Sequence, residues 1–189
     1  VNQIVDKDVP PEVVATDPFI TLTEKTLVLP QGPDLYTPER RNSAGFDLAH
    51  VPTVARIEKM RGRYSKHMWS AAPLTVTPCD GPRHSVINPA NPSDTVGTVT
   101  TALPCAVAGA FADARAWDAH APIRKAILCA VADLYEAHLG EIFALLAREA
   151  GKTQRDAVAE LREAVDFLRY YAAQVDDSAP VGTYVCISP

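Results

Sequence analysis

The chain has 189 residues, enough for one ordinary domain with a sizeable core, and 47% of them are hydrophobic against 22% charged, which excludes a disordered tail. A net charge of −5, from 18 Lys and Arg against 23 Asp and Glu, gives no electrostatic case for nucleic acid. No apolar run is long enough to span a bilayer and no secretory signal opens the chain, so a cytoplasmic protein without a membrane span is expected.

Val1 begins the chain without a methionine, so a fragment is expected, or a processed chain. Val1 to Asp6 suits a helix end, which Val9-Pro10-Pro11 breaks before a turn near Asp17-Pro18. Ile20 to Pro38, with prolines at 30, 33 and 38, reads as linker with at most one short strand. Asp34-Leu35-Tyr36 is followed by Arg40-Arg41-Asn42-Ser43-Ala44-Gly45-Phe46-Asp47-Leu48. Its arginines either sit on a solvated loop or contact another part of the protein.

Val51 to Ala71 is a basic, loosely amphipathic helix candidate, with Val54, Ile57, Met60, Tyr64, His67 and Met68 on a broad face. Five Arg or Lys residues lie between Arg56 and Lys66. A solvated charged face accounts for them, because no aromatic platform accompanies the charges. His67 has no second ligand at metal spacing and is read as packing.

From Thr75 to Thr101 the period shortens to two. Thr75-Val76-Thr77 alternates, Asp80-Gly81-Pro82 turns, Ser85 to Asn88 extends, Asn91 to Asp94 turns, and Val96 to Val99 extends, which together make a small β-meander. Ala106 to Asp118 then reads as a helix with Val107, Ala110, Phe111 and Trp117 on its apolar side.

Pro122 to Val175 organises the rest as two or three amphipathic helices. Ile123, Ile127, Val131 and Leu134 recur at helical spacing and are expected to be buried. Ile142, Phe143, Leu145 and Leu146 continue the stripe after a joint that Gly140 loosens. Gly151 stops that helix and Thr153 caps the next. Val158, Leu161, Val165, Leu168 and Ala172 then form a buried side, with Glu160, Arg162, Glu163 and Arg169 mostly elsewhere. Lys152 and Glu149 belong to this junction rather than to catalysis.

Four cysteines, at 79, 105, 129 and 186, lack CxxC spacing, which predicts reduced thiols and neither a zinc cluster nor a disulfide scaffold. No metal site is expected. Cys186 lies in a β-branched run with no adjacent base and is rejected as a nucleophile.

Three separated stretches resemble the aldehyde dehydrogenase superfamily. They are Leu145 to Thr153 with Ala159 to Ala172, then Val86-Ile87-Asn88-Pro89-Ala90 with Val96-Gly97-Thr98-Val99, and the terminal Val185-Cys186-Ile187-Ser188-Pro189. Arg41-Asn42-Ser43-Ala44-Gly45 narrows the resemblance to the bifunctional proline utilisation A (PutA) family.

The resemblance implies a mixed α/β, predominantly helical fold. It would be the N-terminal part of an NAD-binding domain, with a small β-meander, amphipathic helices and the start of a first Rossmann-type strand, preceded by an irregular linker. The implied domains are 1–22, the tail of a proline dehydrogenase module; 23–72, an interdomain connector; and 73–189, a truncated aldehyde dehydrogenase domain. The implied parent oxidises proline to glutamate, and its recognisable module is an NAD-dependent L-glutamate γ-semialdehyde dehydrogenase acting on a small molecule.

FAD would belong to the proline dehydrogenase module, with no binding residue in this chain, and the parent would be a homo-oligomer. By resemblance, Ile187, Ser188 and Pro189 line the cofactor side. Glu163 either approaches the aldehyde pocket or is an exposed helix carboxylate. No catalytic residue is assigned, so the 189 residues alone are expected to be inactive. The alternative is a stand-alone helical interaction protein, or adapter, derived from the same helices.

Overall fold

The computed structural model describes residues 2–17, 19–20, 30–76, 79–179 and 182–187. The chain divides into two compact units, Val1–Gln31 and Gly32–Pro189. Among its described residues the first includes the short helices α1 (Asn2–Val5) and α2 (Pro11–Val14), the latter opened by a proline that needs no amide partner in the first turn.

In the second unit a 3-10 turn at Gly32–Asp34 leads to α3 (Val51–Gly62). The strands are β1 (Trp69–Ala71), β2 (Asp80–Asn88) and β3 (Asn91–Ala102). Four helices follow: α4 (Pro104–Asp113), α5 (Ala121–Ala137), α6 (Leu139–Glu149) and α7 (Gln154–Gln174). The expected mixed, mainly helical architecture is present.

The sheet has the order β1-β3-β2, with β2 antiparallel and β1 parallel to β3; Ser85 and Ser70 both pair with Thr98. Its boundaries differ from the sequence reading. Asp80-Gly81-Pro82 and Asn91 to Asp94 are strand, and the reversal is the two-residue Pro89-Ala90. The proline falls in the turn, where a missing amide costs no ladder bond. Thr75 and Val76 form no strand, and Thr77 lies outside the described residues. The basic helix stops at Gly62, and Trp69 to Ala71, expected to be helical, instead pair along β3.

The core joins Ile57 of α3, Ala132 of α5, Phe143 of α6, and Ala157, Val158, Leu161 and Val165 of α7. Phe143 is fully buried and meets Phe46 edge to face at 6.0 Å. The period read along α7 is borne out, with one exception. Arg169 lies on the buried side, only 5% exposed.

On α5 the apolar stripe is not the buried one. Ile123, Ile127 and Leu134 are 52%, 44% and 57% exposed. The side toward α7 carries Ala132 and the carboxylates that meet Arg169. Small residues and charge partners, rather than the bulkiest side chains, set this contact. Likewise Val107, Phe111 and Trp117, expected on a packed side, are each more than half exposed, and α4 ends at Asp113.

Gly140 does not loosen the joint, which falls at His138 between α5 and α6. A Cβ on Gly140 would stand 2.8 Å from Met60 Cβ and 2.9 Å from the Met60 backbone. The glycine therefore lets α6 approach α3 closely. Gly151 does act as the stop, at φ +65°, and the Thr153 side chain accepts from the Asp156 amide at 3.2 Å.

The structure pairs Cys79 with Cys105, their Cα atoms 6.1 Å apart, which overturns the expectation of reduced thiols for these two. They flank the ends of a hairpin whose register sets Asp80 opposite Ala102. Their midpoint falls near the Pro89-Ala90 turn, a signal that CxxC spacing does not detect. Cys129 and Cys186 are free.

Candidate functional site

Helix α7 presents two faces of different chemistry. The covered face carries Leu161, Val165, Arg169 and Ala172; the open face carries Glu163 with Phe167, Tyr170 and Tyr171, which are 52%, 44% and 57% exposed. Phe167 and Tyr170 follow Glu163 by four and seven residues, so the carboxylate shares its side of the helix with aromatic rings. Tyr170 and Tyr171 stack edge to face at 5.3 Å. Glu163 is exposed; the bond to Glu160 raises the Lys152 ammonium most, and the charges of Glu160, Asp156 and Glu163 add to it in that order.

The segment before α3 is clasped onto this helix. The Asp166 carboxylate accepts from the Ser43 amide and hydroxyl, both at 2.8 Å, and from Arg40 at 3.3 Å. Arg162 donates to the Ser43 hydroxyl at 3.2 Å, and the Ala44 amide donates to Glu136 at 2.7 Å. Arg40 therefore makes the contact that the sequence left open, while Arg41 stays exposed.

Beneath the clasp, Arg169 donates to Asp133 at 2.8 Å, to Glu136 at 2.7 Å and to the Asn42 carbonyl at 3.2 Å. Burial works against its charge, yet the bonds to Glu136 and Asp133 hold its proton more tightly than usual. Three elements thus meet on one guanidinium. Sequence reasoning missed it because a lone arginine at a helical core position carries no periodic signal.

A second buried arginine ties α6 to the sheet. Arg148 grips Asp94 through two bonds at 2.8 and 3.0 Å, and donates to the carbonyls of Tyr64, His67 and Thr95. It satisfies the carbonyls that follow α3 while fixing the hairpin. The Asp94 carboxyl is lowered to about 2, first by Arg148 and then by the Asn88 amide. His67 serves packing, its ring against Tyr64 and Trp69.

Of the proposed cofactor-side residues, Ile187 is 89% exposed, and Ser188 and Pro189 lie outside the described residues. Tyr184 to Ile187, read as a first strand, pairs with no strand among the described residues, because β1, β2 and β3 bond only to one another. Cys186 is exposed and free. No cluster of three or more His, Cys, Asp or Glu suited to a metal ion occurs among the described residues. No described helix is long and apolar enough to cross a membrane.

A model of the aldehyde dehydrogenase family matches residues 76–185. Over its whole length the chain is 40% identical to the bifunctional protein PutA of Escherichia coli, of which it spans 16%. Among solved structures, a mutant of Bradyrhizobium japonicum proline utilization A superposes on 92% of this chain and 15% of its own, at 30% identity and a TM-score of 0.56. A 1-pyrroline-5-carboxylate dehydrogenase from Thermus with bound NAD superposes on 76% of this chain and 30% of its own, at 25% identity and a TM-score of 0.62.

Proposed function

The chain belongs to the aldehyde dehydrogenase family, and from that membership we propose that it forms the connector and opening helices of an L-glutamate γ-semialdehyde dehydrogenase module in a PutA-type protein. The observation that carries this reading is that the likeness to PutA runs through the whole chain, including the Arg40 to Gly45 segment clasped onto α7. The domains would be 1–22 as the close of a proline dehydrogenase module, 23–72 as connector, and 73–189 as the start of the dehydrogenase domain. A cytoplasmic location and a homo-oligomeric parent belong to the same proposal.

Oxidising an aldehyde to a carboxylate at such a centre takes a thiolate nucleophile, donors for the oxyanion and a carboxylate that activates water. NAD, when bound, supplies the hydride acceptor, and FAD serves the proline dehydrogenase module. The described residues close no dinucleotide cradle, since Tyr184 and Ile187 are about nine-tenths exposed. This chain contributes the scaffold. Glu163, on the open aromatic face of α7, is the substrate-proximal carboxylate, and the clasp through Ser43, Asp166 and Arg169 fixes the helix that carries it.

The test is a transplant. Residues 32–187 replace the matching stretch of Escherichia coli PutA, and NADH formation from glutamate semialdehyde is followed. The chimera is expected to turn over. Glu163→Ala within it should raise KM about tenfold with a smaller change in kcat, as for a group that binds substrate more than the transition state. The 189 residues alone should form no NADH. A folded but inactive chimera, or turnover by the 189 residues alone, overturns the reading.

A further inference from the structure

Between the connector and the α5–α7 pair lies a cleft of about 250 Å³ that the dehydrogenase reading does not use. Four cations line it, Arg40, Arg41, Lys125 and Arg169, against two carboxylates, Glu39 and Asp133. Counted with Glu136 and Asp166, which engage Arg169 and Arg40, these groups balance at four positive and four negative charges, so what the cleft offers an anion is Arg41 and Lys125, opposed by Glu39. Two of the cations are already engaged: Arg169 by Asp133 and Glu136, and Arg40 by Asp166, with its guanidinium 4.0 Å above the Tyr36 ring. Arg41 and Lys125 have no ion-pair partner among the described residues, and neither does Glu39, although all three line the same cleft. The half-buried, free Cys129 thiol is the remaining reactive group there.

Two unpaired cations on a concave wall, beside a buried and already neutralised arginine, attract an anion by charge. The volume suits a few heavy atoms and water rather than a nucleotide. We propose that this cleft binds a small oxyanion of the carboxylate or phosphate type, held by Arg41 and Lys125 over the Cys129 thiol. The proposal stands independently of the dehydrogenase assignment.

Cys129 supplies the readout. Its thiolate displaces iodide from the α-carbon of iodoacetate or iodoacetamide, leaving a thioether, with the thiol proton passing to buffer. Exposed Cys186 in the same chain corrects for the intrinsic difference between the two reagents. Mass-spectrometric rates on the full chain are expected to show an iodoacetate preference at Cys129 roughly three- to tenfold above that at Cys186, as for a local potential of one to two kT.

The preference should vanish in the Arg41→Glu, Lys125→Glu double variant, whose two positions are exposed, with an unchanged thermal midpoint. Inorganic phosphate or malonate should protect Cys129 beyond sodium chloride of equal ionic strength. Protection by one alone identifies which oxyanion the cleft takes. Equal preference at both cysteines, or no protection by either anion, overturns the proposal. Should Cys129 react with neither reagent, phosphorus NMR decides: broadening of phosphate by the parent chain and not by the double variant supports the site, and no broadening overturns it.

Discussion

Asp94 shows how one carboxylate links distant parts of the chain. It lies on β3, yet Arg148 of α6 grips both of its oxygens, and the Asn88 side chain donates to it from β2 at 3.0 Å. A carboxyl lowered from 3.8 to about 2 in the folded state stabilises the fold wherever it is ionised there and in the unfolded chain. That contribution is present above the unfolded value of 3.8 and is lost as the pH falls toward about 2. Urea unfolding followed from neutral pH downward should therefore show stability declining through this window, and Asp94→Asn should flatten the decline. Arg148→Ala is the harsher change, because it leaves Asp94 with only its bond from Asn88 and removes a donor from the Tyr64, His67 and Thr95 carbonyls at once. It should lower the urea midpoint clearly, since a buried guanidinium and all of its bonds are lost together. An Arg148→Ala protein as stable as its parent would show that the grip is not structural.

At the scale of elements, Gly140 decides how closely α6 and α3 approach. Alanine is the better helix former by roughly 1 kcal/mol, so propensity alone predicts that Gly140→Ala stabilises. Packing predicts the opposite, because the new Cβ would meet Met60 backbone atoms at 2.9 Å, and backbone cannot swing aside as a side chain can. Overpacking of this kind costs about 1–3 kcal/mol, so the net effect should be a lower thermal midpoint. A raised midpoint would mean that the helices separate freely. The sequence revealed the end of α6 and the start of α7, because Gly151 and Thr153 act through local backbone chemistry. It revealed the inward side of α7 through its period. It misplaced the inward side of α5, whose large residues lie on one side and whose contact with α7 is made by Ala132, Asp133 and Glu136. The clasp on Asp166 was likewise hidden, since its partners lie more than a hundred residues away along the chain.

For the whole molecule, the question is what the uncovered apolar surface does in water. Ile123, Ile127 and Leu134 line one side of α5, and Phe167, Tyr170 and Tyr171 lie along α7, all at 44–57% exposure. Scattered apolar residues on a surface need no explanation, but bulky side chains repeated at helical spacing along one helix form a stripe that water penalises. Two opposing outcomes are available to the 189-residue chain. Its charge of −5 favours dispersal, whereas burial of even part of these side chains between copies gains roughly 25 cal/mol per Å². At moderate salt the charge repulsion is screened beyond about 8 Å, so burial should win. We expect sedimentation to show concentration-dependent self-association, and a naphthalene-sulfonate dye to bind and fluoresce. Ile127→Glu should weaken both, while shifting unfolding by no more than about 0.5 kcal/mol, as for a residue that packs little. A monodisperse monomer that leaves the dye dark would mean that the stripe is covered in solution by the chain's own residues.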